Sequence, residues 1–241
     1  MDIIIKDLGF AYPLPGSREL FSNLSLVVRK GEVLGIIGAS GIGKTTLLKL
    51  IGGLLKPTHG EVTIGGDPIM MHRGEVGFVF QETRLLPWLT VAQNIALPEK
   101  IRSRRFFHTA DIATLLRDVG LAADGAKYPD ELSGGMKQRL GLARALVLSP
   151  KVLLLDEPFG SLDVALRTQM GHLLRSIVEM HCCTTVIISH DLVEVCRLCD
   201  QVILLRGGAN PIAKTVKPIK SGLDTSSIEI LHAAIELGPK S

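Results

Sequence analysis

The chain has 241 residues, enough to bury a sizeable core as one large domain or two small ones. Charged residues make up 21% and the formal net charge is only +3, which excludes a strong overall field as the basis of nucleic-acid binding. An apolar share of 46% suits a parallel sheet covered on both faces, yet no apolar run reaches the roughly 18 to 20 residues that cross a bilayer.

The N-terminal part alternates short strands with Gly, Pro and Asn turns: Ile3-Ile4-Ile5, Leu24-Ser25-Leu26-Val27-Val28, and the stretch from Gly60 to Gly66. These predict a small antiparallel sheet. Within that region Val33-Leu34-Gly35-Ile36-Ile37 reads as a buried parallel strand, and Leu47, Leu48, Leu50, Ile51 and Leu54 form a helical stripe. Between them stands Gly38-Ala39-Ser40-Gly41-Ile42-Gly43-Lys44-Thr45-Thr46, which fits the phosphate-cradling pattern G-x-x-x-x-G-K-[ST]. The glycines let successive N–H groups turn inward around a phosphate, Lys44 adds a point charge, and Thr45 offers a hydroxyl to Mg²⁺. A helix N-terminus completes the anion trap. A plain tight turn would also use glycine here; the flanking strand and helix favour the nucleotide site.

Val76-Gly77-Phe78-Val79-Phe80 predicts another strand, closed by Gln81. From about Thr83 to Leu148 the pattern turns helical, with Ile112, Leu115, Leu116 and Val119 on one stripe and a stop at Gly120, so this block is expected to form an inserted lobe. Strand character returns in Val152-Leu153-Leu154-Leu155, Thr184-Thr185-Val186-Ile187-Ile188 and Gln201-Val202-Ile203-Leu204-Leu205, where the α/β core resumes. Asp156, after four apolar residues, is delivered to the C-terminal edge of a buried strand as a partner for Mg²⁺ on Thr45. Glu157 follows, pointing differently, and suits the polarising of a water. The Lys-, Ser- and Ala-rich C-terminal stretch is expected to be peripheral. Met1-Asp2-Ile3-Ile4-Ile5-Lys6 has no signal-peptide layout, so a cytosolic setting is expected, with Cys182, Cys183, Cys196 and Cys199 reduced and the last two packed as small thiols.

Leu132-Ser133-Gly134-Gly135-Met136-Lys137-Gln138-Arg139 precedes a helix carrying Leu140, Leu142, Ala145 and Leu146. Ser133 is a good N-cap, and two glycines expose helix-end N–H groups as a second anion site. These residues resemble the signature of the ATP-binding subunits of ABC transporters, and the likeness runs through the whole chain. The resemblance implies a P-loop NTPase (RecA-like) α/β core, residues 1–82 and 149–241, with a small antiparallel β subdomain and an inserted α-helical subdomain, residues 83–148. It implies ATP and Mg²⁺ as cofactors and a head-to-tail homodimer in which Ser133, Gly134 and Gly135 reach the γ-phosphate on the second copy. Gln81 resembles the residue that senses Mg²⁺ and the attacking water, and His190 the switch histidine at the γ-phosphate. Ser161-Leu162-Asp163 resembles the loop that crosses the dimer interface. Tyr12 is assigned to stack on adenine, with Phe10 as the nearby alternative.

Leu85-Leu86-Pro87-Trp88, with Met136, resembles the nitrate/sulfonate/taurine branch of bacterial importers. Such a subunit would sit at the cytoplasmic face of the plasma membrane, driving two permease subunits, with a substrate-binding protein delivering the solute and no nucleic-acid partner. An exposed apolar loop bearing the only Trp suits a docking groove for a permease helix; the alternative is an anchor for the lobe's own core. Arg102, Arg104 and Arg105 suit a solvated face. An exporter ATPase, or an ABC ATPase outside transport, is the alternative function, though no long heptad run separates the two motifs.

Overall fold

The structure, a computed structural model, describes residues 1–13, 15–16, 18–72, 74–101, 110–160, 162–206, 211–218 and 225–236. In chain order its first half contains β1 (Ile3–Phe10), β2 (Phe21–Val28), β3 (Val33–Ile37), α1 (Lys44–Ile51), β4 (His59–Ile64), β5 (Asp67–Pro68), β6 (Val76–Val79) and α2 (Val91–Ile101). Then come α3 (Ile112–Asp118), α4 (Gly134–Leu146), β7 (Val152–Asp156), α5 (Val164–His181), β8 (Thr184–Ile188), α6 (Leu192–Leu198), β9 (Gln201–Leu205), β10 (Ile212–Val216) and α7 (Thr225–Glu236).

The strands form two sheets. A four-stranded antiparallel sheet has the order β2-β1-β4-β5, and a six-stranded one the order β10-β9-β3-β8-β7-β6. In the larger sheet β9, β3, β8, β7 and β6 run parallel, and β10 pairs antiparallel with β9. Its side chains alternate between two cores, as the period of a strand requires. Val33, Ile37, Leu153, Leu155 and Ile187 face the helices α4, α5 and α6, while Leu34, Ile36, Val152, Leu154 and Val186 face α1 and the smaller sheet. Strands buried on both faces read as unbroken apolar runs, which is why β3, β7, β8 and β9 fall where the sequence predicts them.

Three expectations shift. β2 starts at Phe21, because Asn23 at φ 55° bulges the strand and puts Phe21 and Leu24, three apart, on the same buried side. The helical block starts only at Val91, since the segment 81–90 is a loop. The C-terminal stretch is more than peripheral: β10 extends the main sheet, and α7 buries Leu231 completely. Gly120, at φ 70°, ends α3 as expected.

The parallel arrangement sets up the chemistry. Chain leaves β3 into the Gly38–Gly43 loop, β6 into Gln81, β7 into Glu157 and β8 into His190, all at the C-terminal edge of one sheet. Bonds beyond the strands hold the edge together: Glu157 N–H donates to Ile188 C=O at 3.0 Å, and Ser189 N–H to Ile36 C=O at 3.4 Å.

Candidate active site

The loop after β3 closes only because two positions lack side chains. Gly38 (φ 153°) and Gly43 (φ 104°) hold left-handed backbone, and a Cβ would meet the Leu205 carbonyl oxygen or Phe21 Cζ, each at 2.7 Å. Ala39, Ser40 and Gly41 form the exposed crest, while Ile42 packs inward against the core beside α1. Lys44 Nζ folds back to donate to the Gly38 and Ala39 carbonyls at 2.9 and 3.0 Å. Gly43 caps α1 without a side-chain hydrogen bond, and the first turn carries no acidic residue. The leading N–H groups of Lys44, Thr45 and Thr46 and the positive helix end therefore face an anion without local competition.

Thr45 Oγ1 donates to Asp156 Oδ1 at 3.1 Å. Burial pushes the Asp156 carboxyl above its ordinary value; the Thr45 hydrogen bond, Lys49 and Lys44 oppose the shift, and Glu157 adds to it. A buried carboxylate converging on a hydroxyl is a hard-oxygen pair that fits Mg²⁺. Beside it Glu157 has φ 45°, a left-handed conformation that a non-glycine residue holds at a cost of about 1–3 kcal/mol. That turn separates the two acids: Asp156 faces Thr45, and Glu157 faces Gln81 and His190. Gln81 Nε2 donates to Glu157 Oε2 at 3.4 Å, and His190 Nδ1 lies 3.7 Å from the same oxygen, an ion pair when the ring is protonated.

Tyr12 and Phe10 divide their tasks. Phe10, 4% exposed, belongs to the core of the small sheet, whereas Tyr12 is 42% exposed and its hydroxyl shares a 2.7 Å hydrogen bond with Thr46 Oγ1 at the start of α1. Among the paired candidates, only Tyr12 lies open beside the phosphate loop.

Ser133 caps α4, its Oγ accepting from Met136 N–H at 3.4 Å. The two glycines that follow differ. Gly134 is exposed with open space where a Cβ would go, while Gly135 is buried, and a Cβ there would strike Leu166 Cδ2 at 2.7 Å. Gly135 thus serves close packing of α4 on α5, and Gly134 offers bare backbone. Asp163 caps α5 by accepting from Leu166 N–H at 2.9 Å, a task its sequence position alone does not reveal; Ser161 lies outside the described residues.

The loop after Gln81 presents Trp88 at 70% exposure, which overturns its reading as a core anchor. Asn94, fully buried on α2, builds that loop: its Nδ2 donates to the carbonyls of Leu86, Leu89 and Thr90, and its Oδ1 accepts from Leu86 N–H at 2.9 Å. The signal in the sequence was a polar residue on the apolar stripe Val91, Asn94, Ile95. Asn94→Ala is expected to destabilise the chain by about 2–3 kcal/mol through unmet polar groups, a fall in Tm of about 5–10 °C in thermal unfolding. An unchanged Tm would remove Asn94 from this role. Arg144 of α4 donates to the Thr83 and Arg84 carbonyls of the same loop, and burial pushes its guanidinium below the ordinary value. Arg102, Arg104 and Arg105 lie outside the described residues.

None of the four cysteines is in a disulfide; burial pushes Cys183 up to about 11, and Cys199 well above its ordinary value. Among the described residues no three His, Cys, Asp or Glu cluster as a metal site, and no helix is long and apolar enough to cross a membrane.

A phosphate-cradling loop, a buried acid on its threonine and a second acid held apart at the same sheet edge define a P-loop ATPase. The comparisons with known proteins narrow this. The family model described as ABC transporter matches residues 21–160, and the chain belongs to that family. It is similar to the aliphatic sulfonates import ATP-binding protein SsuB 2 of Burkholderia cenocepacia, 40% identical over 83% of this chain and 73% of that protein. The methionine import ATP-binding protein MetN of Caulobacter vibrioides is 42% identical over 86% of this chain and 64% of its own length. Among solved structures, the post-hydrolysis dimer of the ATP-binding cassette MJ0796 bound to ADP and Pi superposes with a TM-score of 0.77 at 30% identity, covering 91% of this chain and 99% of that one. The dimeric structure of MJ0796, a bacterial ABC transporter cassette, gives a TM-score of 0.76 at 31% identity with the same coverage. The chain is an ATP-hydrolysing subunit of an ABC transporter of the import type, working with membrane permease subunits to take up a small solute.

Proposed function

We propose that this subunit energises uptake of a small oxyanion, a sulfonate, taurine, nitrate or a related compound, from a site at the cytoplasmic face of the plasma membrane. The sulfonate importers among its relatives, at about two-fifths identity, support that solute class. A substrate-binding protein delivers the solute to the two permease subunits, and this chain touches neither solute nor carrier. Residues 1–82 and 149–241 form the nucleotide-binding part, and residues 83–148 the helical part that meets the membrane partner.

The observation that carries the mechanism is the convergence of Lys44, Thr45, Asp156, Gln81, Glu157 and His190 at one sheet edge. The phosphate loop and α1 bind the phosphates, Lys44 turning from its carbonyls toward the β/γ oxygens. Thr45 and Asp156, with Gln81, would hold magnesium, which when bound would supply positive charge to offset that of the phosphates. Glu157 accepts the proton of the attacking water, and Gln81 and His190 fix the carboxylate toward the terminal phosphate. Tyr12 stacks on the adenine once its hydroxyl releases Thr46. A second copy supplies Ser133, Gly134 and Gly135, with Asp163 shaping the contact segment, so that charge-assisted bonds of about 1.5–3 kcal/mol each close the dimer on ATP. The likeness to a dimeric cassette supports this arrangement.

The test is the reconstituted complex: ATPase activity measured with candidate solutes and their binding protein. Stimulation by a sulfonate or taurine is expected; stimulation only by chemically unrelated solutes would overturn the solute class. Trp88→Ala is expected to leave ATP affinity within about twofold while weakening assembly with the permease by about 30-fold, the scale of losing an aromatic anchor of about 2 kcal/mol. Normal co-purification with the permease would remove Trp88 from the docking surface.

A further inference from the structure

The fork of the Arg167 guanidinium joins the two segments that flank Glu157 and His190. Arg167 sits in the first turn of α5, where Nη2 donates to the Leu162 carbonyl at 2.9 Å and Nη1 to Asp191 Oδ2 at 2.7 Å. Leu162 ends the turn that begins at Glu157: Gly160 N–H donates to the Glu157 carbonyl at 3.3 Å, and Leu162 N–H to the Phe159 carbonyl at 3.1 Å. Asp191 directly follows His190. Its second oxygen accepts from Val193 and Glu194 N–H at 2.9 and 3.1 Å, capping α6.

The other neighbour of His190 is tied into the same mesh. Ser189 Oγ accepts from Asp191 N–H at 3.0 Å and donates to Glu194 Oε2 at 2.5 Å. His190 is thus the exposed residue between two anchored ones, and its ring lies beside the same turn, Nδ1 being 3.7 Å from Glu157 Oε2. Burial raises the Asp191 carboxyl, but the Glu194 N–H and Arg167 outweigh it and hold the group ionised, below its ordinary value. A planar fork reaching two acceptors on different segments fixes their separation, which a single ammonium point cannot do.

We infer that Arg167 is a positioning residue for hydrolysis: it clips the turn after Glu157 to the turn carrying His190, setting the distance between the two at the terminal phosphate. This rests on the reading of Glu157 and His190 given above. Both acceptors of the clip are protein groups away from the Gly38–Thr46 loop, so its loss acts on kcat through the geometry of that pair, not on KM.

The test is a mutant cycle on the full chain with MgATP, followed by steady-state and single-turnover hydrolysis, with Tm measured in parallel. Arg167→Ala is expected to lower kcat by about 10–100-fold with KM within twofold. Arg167→Lys, which keeps the charge but not the fork, is expected to fall between Arg167→Ala and the parent. In a His190→Ala background either substitution is expected to cost less than twofold more, because its effect passes through His190. Equal losses in the parent and His190→Ala backgrounds would overturn the clip while leaving the role of His190 intact. Full turnover by His190→Ala itself would instead overturn that role, and the clip with it. Should Arg167→Ala lower Tm enough to prevent folding, the Lys variant carries the same two comparisons.

Discussion

Glu157→Gln is expected to hold ATP and almost cease to hydrolyse it, with kcat down by about a hundred- to ten-thousand-fold, the usual worth of a positioned general base. The exchange preserves size and leaves an amide oxygen to accept the Gln81 Nε2 hydrogen bond, so the local frame at φ 45° stays as it is. What disappears is the negative charge to which the proposed mechanism assigns the proton of water. With hydrolysis stopped, the closed dimer accumulates under ATP. Light scattering during size exclusion reads the mass, and single-turnover release of phosphate reads the chemistry. Hydrolysis within threefold of the parent would take Glu157 out of the base role, and a strictly monomeric ATP-loaded variant would remove the composite pocket.

Lys44→Ala acts one step earlier. It removes the ammonium that holds the Gly38 and Ala39 carbonyls at 2.9 and 3.0 Å and, on the proposed reading, a charge-assisted contact to phosphate. Losing one such contact costs about 1.5–3 kcal/mol, which is about 10–150-fold in Kd. Titration with a fluorescent ATP analogue measures it. The two variants separate binding from chemistry: Lys44→Ala is expected to lose affinity, whereas Glu157→Gln keeps it.

Most of the nucleotide core was legible because its signals are local. The apolar runs ending at Ile37, Asp156 and Ile188 each feed one functional turn, and the Gly38–Thr46 pattern specifies a loop that its own glycines enforce. The left-handed backbone of Glu157 was invisible, since no residue type announces it. Tyr12 was ambiguous for a related reason: sequence places two aromatics near the loop, and only the fold buries Phe10 while giving Tyr12 the Thr46 hydroxyl. The run around Trp88 reads as an exposed loop in the sequence, but the helical block was set to begin too early, at about Thr83, because nothing local says that the buried amide of Asn94 spends its hydrogen bonds on the loop before α2. The packing of Gly135 against Leu166 was not legible, since it depends on a helix far along the chain. β10 and α7 escaped notice because their burial comes from β9 and α6, not from any strong periodicity of their own.

The guanidinium of Arg144 has a mechanical consequence. By gripping the carbonyls of Thr83 and Arg84, it rivets the strap behind Gln81 to the rod whose tip is Ser133. Trp88 belongs to the same strap, exposed a few residues further on. The two stretches assigned above to the membrane partner and to the twin subunit thus share a single brace, and neither is supported without the other.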